Sequence, residues 1–254
     1  MKKTKFVEMH KVTDNSIKKT RDEVILEVPY SIYANDKYIT TLFCSPENLE
    51  YLATGFLFTQ KIIKSKQEIK SLEIVDGKIN VAVPLDIGNL LKNSEYYKKS
   101  FKDQILNDLH PIDESVYSTI ELSVTKIQEI MEAFTTRSET FINTGAAHSV
   151  ALMKDYEILS FTEDVARHNA VDKVVGKALI NEINISKMAL LTSCRVSVEI
   201  ISKAAVMSIP VIISRAATSS LAIELAKELK ITLIGFTRGN KFNVYTNYIK
   251  LMSE

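Results

Sequence analysis

Cysteine is scarce in this 254-residue chain, where only Cys44 and Cys194 occur. Two cysteines cannot build a disulfide framework. Neither has a second cysteine nearby to make a CxxC redox pair or a cysteine-rich zinc site. Charge of one sign is also missing. The 32 Lys+Arg and 31 Asp+Glu leave a formal net charge of +1, which argues against a dedicated nucleic-acid binder. Long apolar runs are absent. The longest, Met188 to Leu191 and Ile209 to Ile213, are far too short to span a bilayer. The opening MKKTKFVEMHK is basic but has no apolar stretch behind it that would make a signal peptide. These absences lead us to expect a cytoplasmic protein with no membrane or nucleic-acid partner.

No internal repeat, P-loop, GxGxxG or GxSxG is found. Neither the H-x-E nor the P-C-x-x-C of a zinc deaminase occurs, so no metal is expected. What remains is 46% hydrophobic and 25% charged, the composition of an ordinary globular chain able to bury a real core.

Residues 1–21 hold seven Lys/Arg against Glu8 and Asp14. They read as a solvated, partly ordered terminus or a weak anion-binding arm. Residues 22–122 read as a smaller β-rich portion with a connector. Glu23 to Pro29 is strand-like. Tyr30 to Ala34 and Lys37 to Cys44 flank an Asn35-Asp36 turn as a hairpin. Ser45-Pro46-Glu47 predicts a helix start, with Ser45 as N-cap, running to about Gln60. Gly55 within it predicts close packing against a neighbour. Ser71 to Val75 and Lys78 to Val83 form a second hairpin around Asp76-Gly77. The stretch 84–122 is polar, with no firm periodicity, and reads as a connector with short helical pieces.

Residues 123–254 read as an α/β domain. Residues 125–134 form an amphipathic helix, and His148 to Met153 and Tyr156 to Phe161 are strands around Lys154-Asp155. Asn169 to Glu182 is a helix that Asn169 is placed to cap. Strands at Met188 to Thr192, Val211 to Ser214 and Ile231 to Phe236 then alternate with helices at Val196 to Met207 and Ser219 to Lys230. Apolar strands separated by helices predict a buried parallel sheet. Ligands of such sheets bind beyond the carboxyl ends of the strands. That rule points at Thr192-Ser193-Cys194-Arg195, Ser214-Arg215-Ala216-Ala217 and Phe236-Thr237-Arg238-Gly239-Asn240-Lys241.

The densest polar cluster is Glu163-Asp164-Val165-Ala166-Arg167-His168-Asn169-Ala170-Val171-Asp172-Lys173. It is either a capped helix entry with ion pairs or a loop whose Arg167 and His168 bind a phosphate or base edge beside paired acids. In Asn143-Thr144-Gly145-Ala146-Ala147-His148, Gly145 lets backbone approach a ligand, while His148, a lone His opening an apolar strand, reads more readily as a satisfied core residue than as a ligand. Arg238 and Lys241 read as phosphate ligands or as exposed cations on a turn. Cys194 sits between a strand and a helix beside Arg195, a setting that depresses a thiol pKa unless the residue is inert and half-buried.

At these residues the chain resembles a known family, the formate dehydrogenase accessory sulfurtransferases (FdhD/NarQ). The run Glu163 to Lys173 resembles its EDVGRHNAVDK signature, and Thr144 to His148 its TGGxH. Ser193-Cys194-Arg195 resembles its SGR, and Phe236 to Thr246 its GF-x-RGGRFNVYT. Asp22-Glu23-Val24 and Leu52 to Thr59 also look like it. The resemblance implies a cytidine-deaminase-like layered α/β domain without zinc, preceded by a smaller β-rich portion, in a cytoplasmic homodimer. It implies sulfur taken from a cysteine desulfurase and passed to the bis-molybdopterin guanine dinucleotide cofactor destined for formate dehydrogenase. By the resemblance, Phe236 to Lys241 belong to the cofactor site. We add Thr144, Gly145, His148, Glu163, Asp164, Arg167, His168, Asn169, Asp172, Lys173, Ser193 and Arg195. The family's sulfur-carrying CxxC loop corresponds here to about Pro111 to Leu122, which contains no cysteine. Sulfur transfer needs a thiolate. Either Cys194 takes the sulfur as the persulfide residue, or the chain binds and escorts the cofactor as a non-catalytic carrier.

Overall fold

The computed structural model describes residues 2–84, 109–185 and 187–253. Its basic opening is more regular than the partly ordered terminus that composition predicts. Strands β1 (Thr4–Thr13) and β2 (Ser16–Ile25) pair antiparallel as a long hairpin around Asp14-Asn15. Asp14 takes φ 50, a left-handed turn conformation that Asp tolerates. Most of the arm is exposed, so its sequence lacks the one-sided apolar alternation by which strands are recognised. The single strand predicted from Glu23 to Pro29 is broken at Leu26-Glu27, where the arm ends and the next sheet begins.

That sheet is built from β3 (Val28–Ala34), β4 (Lys37–Cys44), β5 (Ser71–Val75) and β6 (Lys78–Ala82), in the order β4-β3-β6-β5. Both predicted hairpins are present. One face, carrying Ile32, Ala34, Ile79 and Val81, packs on helix α1 (Leu49–Thr59) through Leu52, Ala53 and Leu57. The helix starts later than Ser45-Pro46-Glu47 predicts. Asn48 occupies the N-cap in a left-handed conformation, with no side-chain cap. Ser45 is instead committed to a contact with the second half of the chain.

Of the predicted connector, residues 85–108 lie outside the described residues. Ile112 N–H donates to Leu229 O at 3.1 Å, and a 3-10 helix covers Glu114–Thr119. Strand β7 (Glu121–Ser123) leads into α2 (Val124–Thr136) and the short α3 (Glu139–Thr144). The hairpin β8 (His148–Lys154) and β9 (Glu157–Asp164) follows, then α4 (Arg167–Ile180). The alternation β10 (Ala189–Thr192), α5 (Val198–Val206), β11 (Val211–Ser214), α6 (Ser220–Glu228) and β12 (Thr232–Arg238) matches the predicted order. Strands β13 (Lys241–Thr246) and β14 (Lys250–Met252) end the chain, with β14 parallel to β7.

The fold is mixed α/β. The six-stranded sheet runs β13-β12-β11-β10-β8-β9, and only β10, β11 and β12 are parallel. An antiparallel hairpin closes each side, so the expectation of a parallel sheet holds for its centre alone. Alternation along the strands assigns the two faces. Leu152, Leu190, Ile212 and Leu233 meet α4, α5 and α6. Ala151, Leu191, Ile213 and Ile234 meet α2 through Ile127, Met131 and Phe134.

The two halves join where α1 crosses α4. A Cβ added to Gly55 would lie 1.8 Å from Asp172 O, and one added to Gly176 would lie 1.9 Å from Tyr51 O. The close packing predicted for Gly55 is therefore reciprocal. Two glycines let the helix backbones touch, and any side chain there would hold them apart.

Candidate functional site

Strands β10 and β11 end at one edge of the sheet, and antiparallel β8 begins there, with Thr192 opposite Val150. The loops leaving this edge are stitched side by side. Ser149 N–H donates to Ser193 Oγ at 2.9 Å, Arg215 N–H to Thr192 O at 2.9 Å, and Phe236 N–H to Ala216 O at 3.0 Å. On the α2 side of this edge lies a cleft of about 250 Å³. Its walls are Phe134, Ser138, Phe141, the Gly145–His148 turn, Ser193 and Arg215. Gly145 has φ 68 and closes α3, its N–H donating to Phe141 O at 2.7 Å. The conformation favours glycine.

Of the residues predicted from sequence, Gly145, His148 and Ser193 line this cleft. Thr144 lies one residue from it, its hydroxyl donating to Thr140 O at 2.7 Å. Arg167 and Arg195 flank His148. Burial pushes its imidazole below the ordinary histidine range, and both guanidiniums push it further down against the opposing pull of Asp164. His148 is therefore neutral at neutral pH, a hydrogen-bonding group within a cationic surround. The cation in the wall is Arg215. Arg238 reaches it from β12, its Nε donating to Arg215 O at 3.1 Å. Arg167, Arg195 and Arg238 thus stand around the hollow rather than forming its lining. Gly239, Asn240 and Lys241 sit exposed at the β12–β13 turn, and Phe236 is half-exposed with φ 54. His168 Nε2 pairs with Glu199 at 2.8 Å on the opposite side of the sheet edge. Burial lowers its pKa against the pull of Glu199. Among the described residues, Arg167 Nε, His168 Nδ1, Ser197 Oγ and Thr237 Oγ1 are buried without a hydrogen-bond partner.

The remaining signature residues face the first half of the chain. Asp164 and Lys173 are fully buried and pair at 2.6 Å. Asp164 accepts from Ser45 N–H at 3.1 Å and Ala166 N–H at 2.8 Å, and Lys173 donates to Ser45 O at 3.0 Å. Asn169 is not a helix cap, because Ala166 holds that position. Its amide donates to Phe43 O at 2.7 Å. Asp172 accepts from Thr59 Oγ1 at 2.7 Å and pairs with Lys203. Burial pushes the Asp164 carboxyl up, opposed by Lys173 and the backbone donors. Glu163 turns the other way. It accepts from Ser138 Oγ and, at 2.8 Å, from Thr140 Oγ1. Glu163 therefore stands behind the cleft, holding α3.

Cys194 lies one residue behind the cleft wall, only 2% exposed. Burial raises its thiol pKa, and Arg167, Thr192 and Ser193 only partly oppose that shift. Cys44 is sealed in the first core, its thiol pushed up to about 12. Neither offers an accessible thiolate, the species that attacks a persulfide donor. The physical reason is that each side chain fills a core position rather than a loop.

Sequence reasoning passed over Phe134, Thr135, Ser138, Phe141 and Ser149, and placed Arg215 only among strand-end residues. Phe134 reads as core, which it also is, and α3 is too short for a periodic signal. The cluster of hydroxyls from Thr135 to Thr144 ahead of a glycine was the available cue.

A family model described as the FdhD/NarQ family matches residues 25–252. "Sulfur carrier protein FdhD" of Listeria monocytogenes serotype 4b is 34% identical over 238 residues, covering 90% of this chain and 91% of the relative. The protein of the same description from Bacillus subtilis is 33% identical, covering 91% of each. A crystal structure of a candidate formate dehydrogenase accessory protein from Desulfotalea psychrophila superposes with a TM-score of 0.80. It is 27% identical and covers 97% of this chain and 99% of its own.

Proposed function

The chain belongs to the FdhD/NarQ family, and from that premise we propose that it is a formate dehydrogenase accessory protein that binds and escorts the bis-molybdopterin guanine dinucleotide cofactor without carrying sulfur on a cysteine of its own. The cofactor is cargo here. Arg215, braced by Arg238, takes phosphate, with Arg167 and Arg195 adding positive potential at the rim. Phe141 and Phe134 give a planar ring an apolar wall. Neutral His148 and the hydroxyls of Ser138 and Ser193 supply hydrogen bonds. In this reading, Asp164, Asn169, Asp172 and Lys173 serve the cargo only indirectly, by fixing α4 against the first half of the chain. The protein works in the cytoplasm as a homodimer, beside a cysteine desulfurase that loads sulfur elsewhere and a client formate dehydrogenase.

One observation carries the escort reading. The chain's only two cysteines are 0% and 2% exposed, and burial holds both thiols protonated. Buried polar atoms without partners at the same edge, Arg167 Nε and Thr237 Oγ1, support a polar ligand there. Two measurements test it. Guanosine diphosphate should bind in calorimetry, and R215A should weaken that binding at least tenfold; no binding to the unmodified protein overturns the cargo assignment. Incubation with a cysteine desulfurase and cysteine, followed by intact-mass analysis, should leave the protein without added sulfur. A persulfide on either cysteine overturns the escort role in favour of transfer.

A further inference from the structure

The cleft's rim is a helix of only six residues, α3, which packs on the second strand of the N-terminal arm. A helix this short is not stable by itself and takes its position from what grips it. Beside that strand, the grip on it is a carboxylate. Glu163, 8% exposed near the end of β9, accepts from the Ser138 hydroxyl at the N-cap of α3 and from Thr140 within it, 2.8 Å away. The same Ser138 Oγ accepts from Phe141 N–H at 3.2 Å, so capping and carboxylate contact meet at one atom. The oxygen that accepts from Thr140, Glu163 Oε2, also meets Lys3 Nζ at 3.6 Å, from the root of the arm. Two residues that line the cleft, Phe141 and Gly145, therefore hang from a side chain that does not line it.

We infer that Glu163 is a positioning residue for the cargo cleft: through Ser138 and Thr140 it sets where Phe141 and the Gly145–His148 turn stand relative to β8. This rests on the cargo reading above, but only for its binding arm. A direct ligand role predicts something different. A carboxylate beside bound phosphate repels it, so E163Q would tighten binding. In the positioning role, glutamine still accepts from Ser138 and can donate to Thr140, so E163Q preserves the geometry and E163A abolishes it. The Lys3 contact is a partly exposed ion pair at long distance and contributes little to that geometry.

The test has two readouts on the intact protein. Hydrogen–deuterium exchange of free protein should show amides of residues 139–147 exchanging at least tenfold faster in E163A, with α4 to α6 unchanged and E163Q like the parent. This arm needs no ligand, so it stands even if guanosine diphosphate fails to bind. Calorimetry with guanosine diphosphate should show E163A weakened at least fivefold, E163Q within twofold, and E163A/T140A no weaker than E163A. Unchanged exchange at 139–147 in E163A overturns the inference. So does tighter binding by E163Q, which would place the carboxylate against the ligand, or equal loss in E163Q and E163A.

Discussion

Replacing Gly55 with alanine tests the junction on which the described architecture depends. The added carbon would sit 1.8 Å from Asp172 O and 2.6 Å from Asp172 C, whereas ordinary contact begins at 3.4 Å. Both obstructing atoms are backbone, so no side chain can swing aside. The helices must separate locally by about 1.6 Å, the difference between 3.4 Å and the 1.8 Å approach. Overpacking of this kind costs roughly 1–3 kcal/mol. The same separation pulls Thr59 Oγ1 away from Asp172 Oδ1, now 2.7 Å apart. Losing a hydrogen bond to a charged group adds about 1.5–3 kcal/mol. A total of about 2.5–6 kcal/mol should lower the melting midpoint by roughly 5–20 °C at this chain length. G176A meets Tyr51 O at 1.9 Å and should behave alike. One separation relieves both clashes, so the double variant should cost clearly less than the sum. Thermal denaturation followed by circular dichroism reads all three proteins. A G55A midpoint within about 2 °C of the parent would refute the backbone contact, and strict additivity would refute the shared separation.

Four further outcomes follow from named contacts. K173M strands Asp164 as an unpaired buried charge and should cost about 3–5 kcal/mol in denaturant unfolding, much of it recovered in D164N/K173M; equal loss in both proteins contradicts the pairing. R215A should weaken guanosine diphosphate binding by about 1.5–3 kcal/mol, and R238A by less, because Arg238 supports the Arg215 carbonyl from an exposed position; the reverse order in calorimetry would move the site onto β12. Neither thiol should react quickly with a disulfide reagent in native protein, and both should react in guanidinium, since Cys44 is pushed to about 12 and Cys194 is raised by burial; rapid native labelling contradicts their burial. The His148 imidazole is depressed in the folded state, so the unfolded chain binds the proton first; its stabilising contribution is complete above 6.5 and declines as pH falls below that value, a decline that H148N should flatten and an NMR titration midpoint above 6.5 would contradict.

The regular alternation after Met188 was legible because β10, β11 and β12 are buried on both faces, and their helices carry one apolar stripe each. Turn chemistry marked both hairpins of the first sheet, where Asn35-Asp36 and Asp76-Gly77 take positive φ. The arm escaped because neither of its faces is deeply buried. Lys11 stands opposite Lys18, and His10 opposite Lys19, a pattern no hydrophobic period describes. The start of α1 was misplaced for a different reason. Ser45 has the identity of a cap, yet its backbone N–H and carbonyl are taken by Asp164 and Lys173, over a hundred residues away. Local propensity cannot register such a demand.

The same contacts explain why the densest polar run in the sequence divides between two tasks. Its acids and cations invite a reading as one site, because charge this close in sequence is costly to bury without purpose. The structure gives each side chain its own direction. Successive strand residues point to opposite faces, so Glu163 turns to α3 and the cleft while Asp164 turns to Ser45. Along α4, Asn169, Asp172 and Lys173 share the surface that meets the first half of the chain, where Phe43, Thr59 and Ser45 receive them. Arg167, at the helix start, stays beside His148. A change at the α1–α4 junction can therefore reach the cleft only by moving β9 or the start of α4, whereas a change at Glu163 acts on the rim directly. Ligand affinity should follow substitutions at Glu163 and Arg215 more closely than it follows stability, and substitutions at Gly55 or Lys173 should do the reverse.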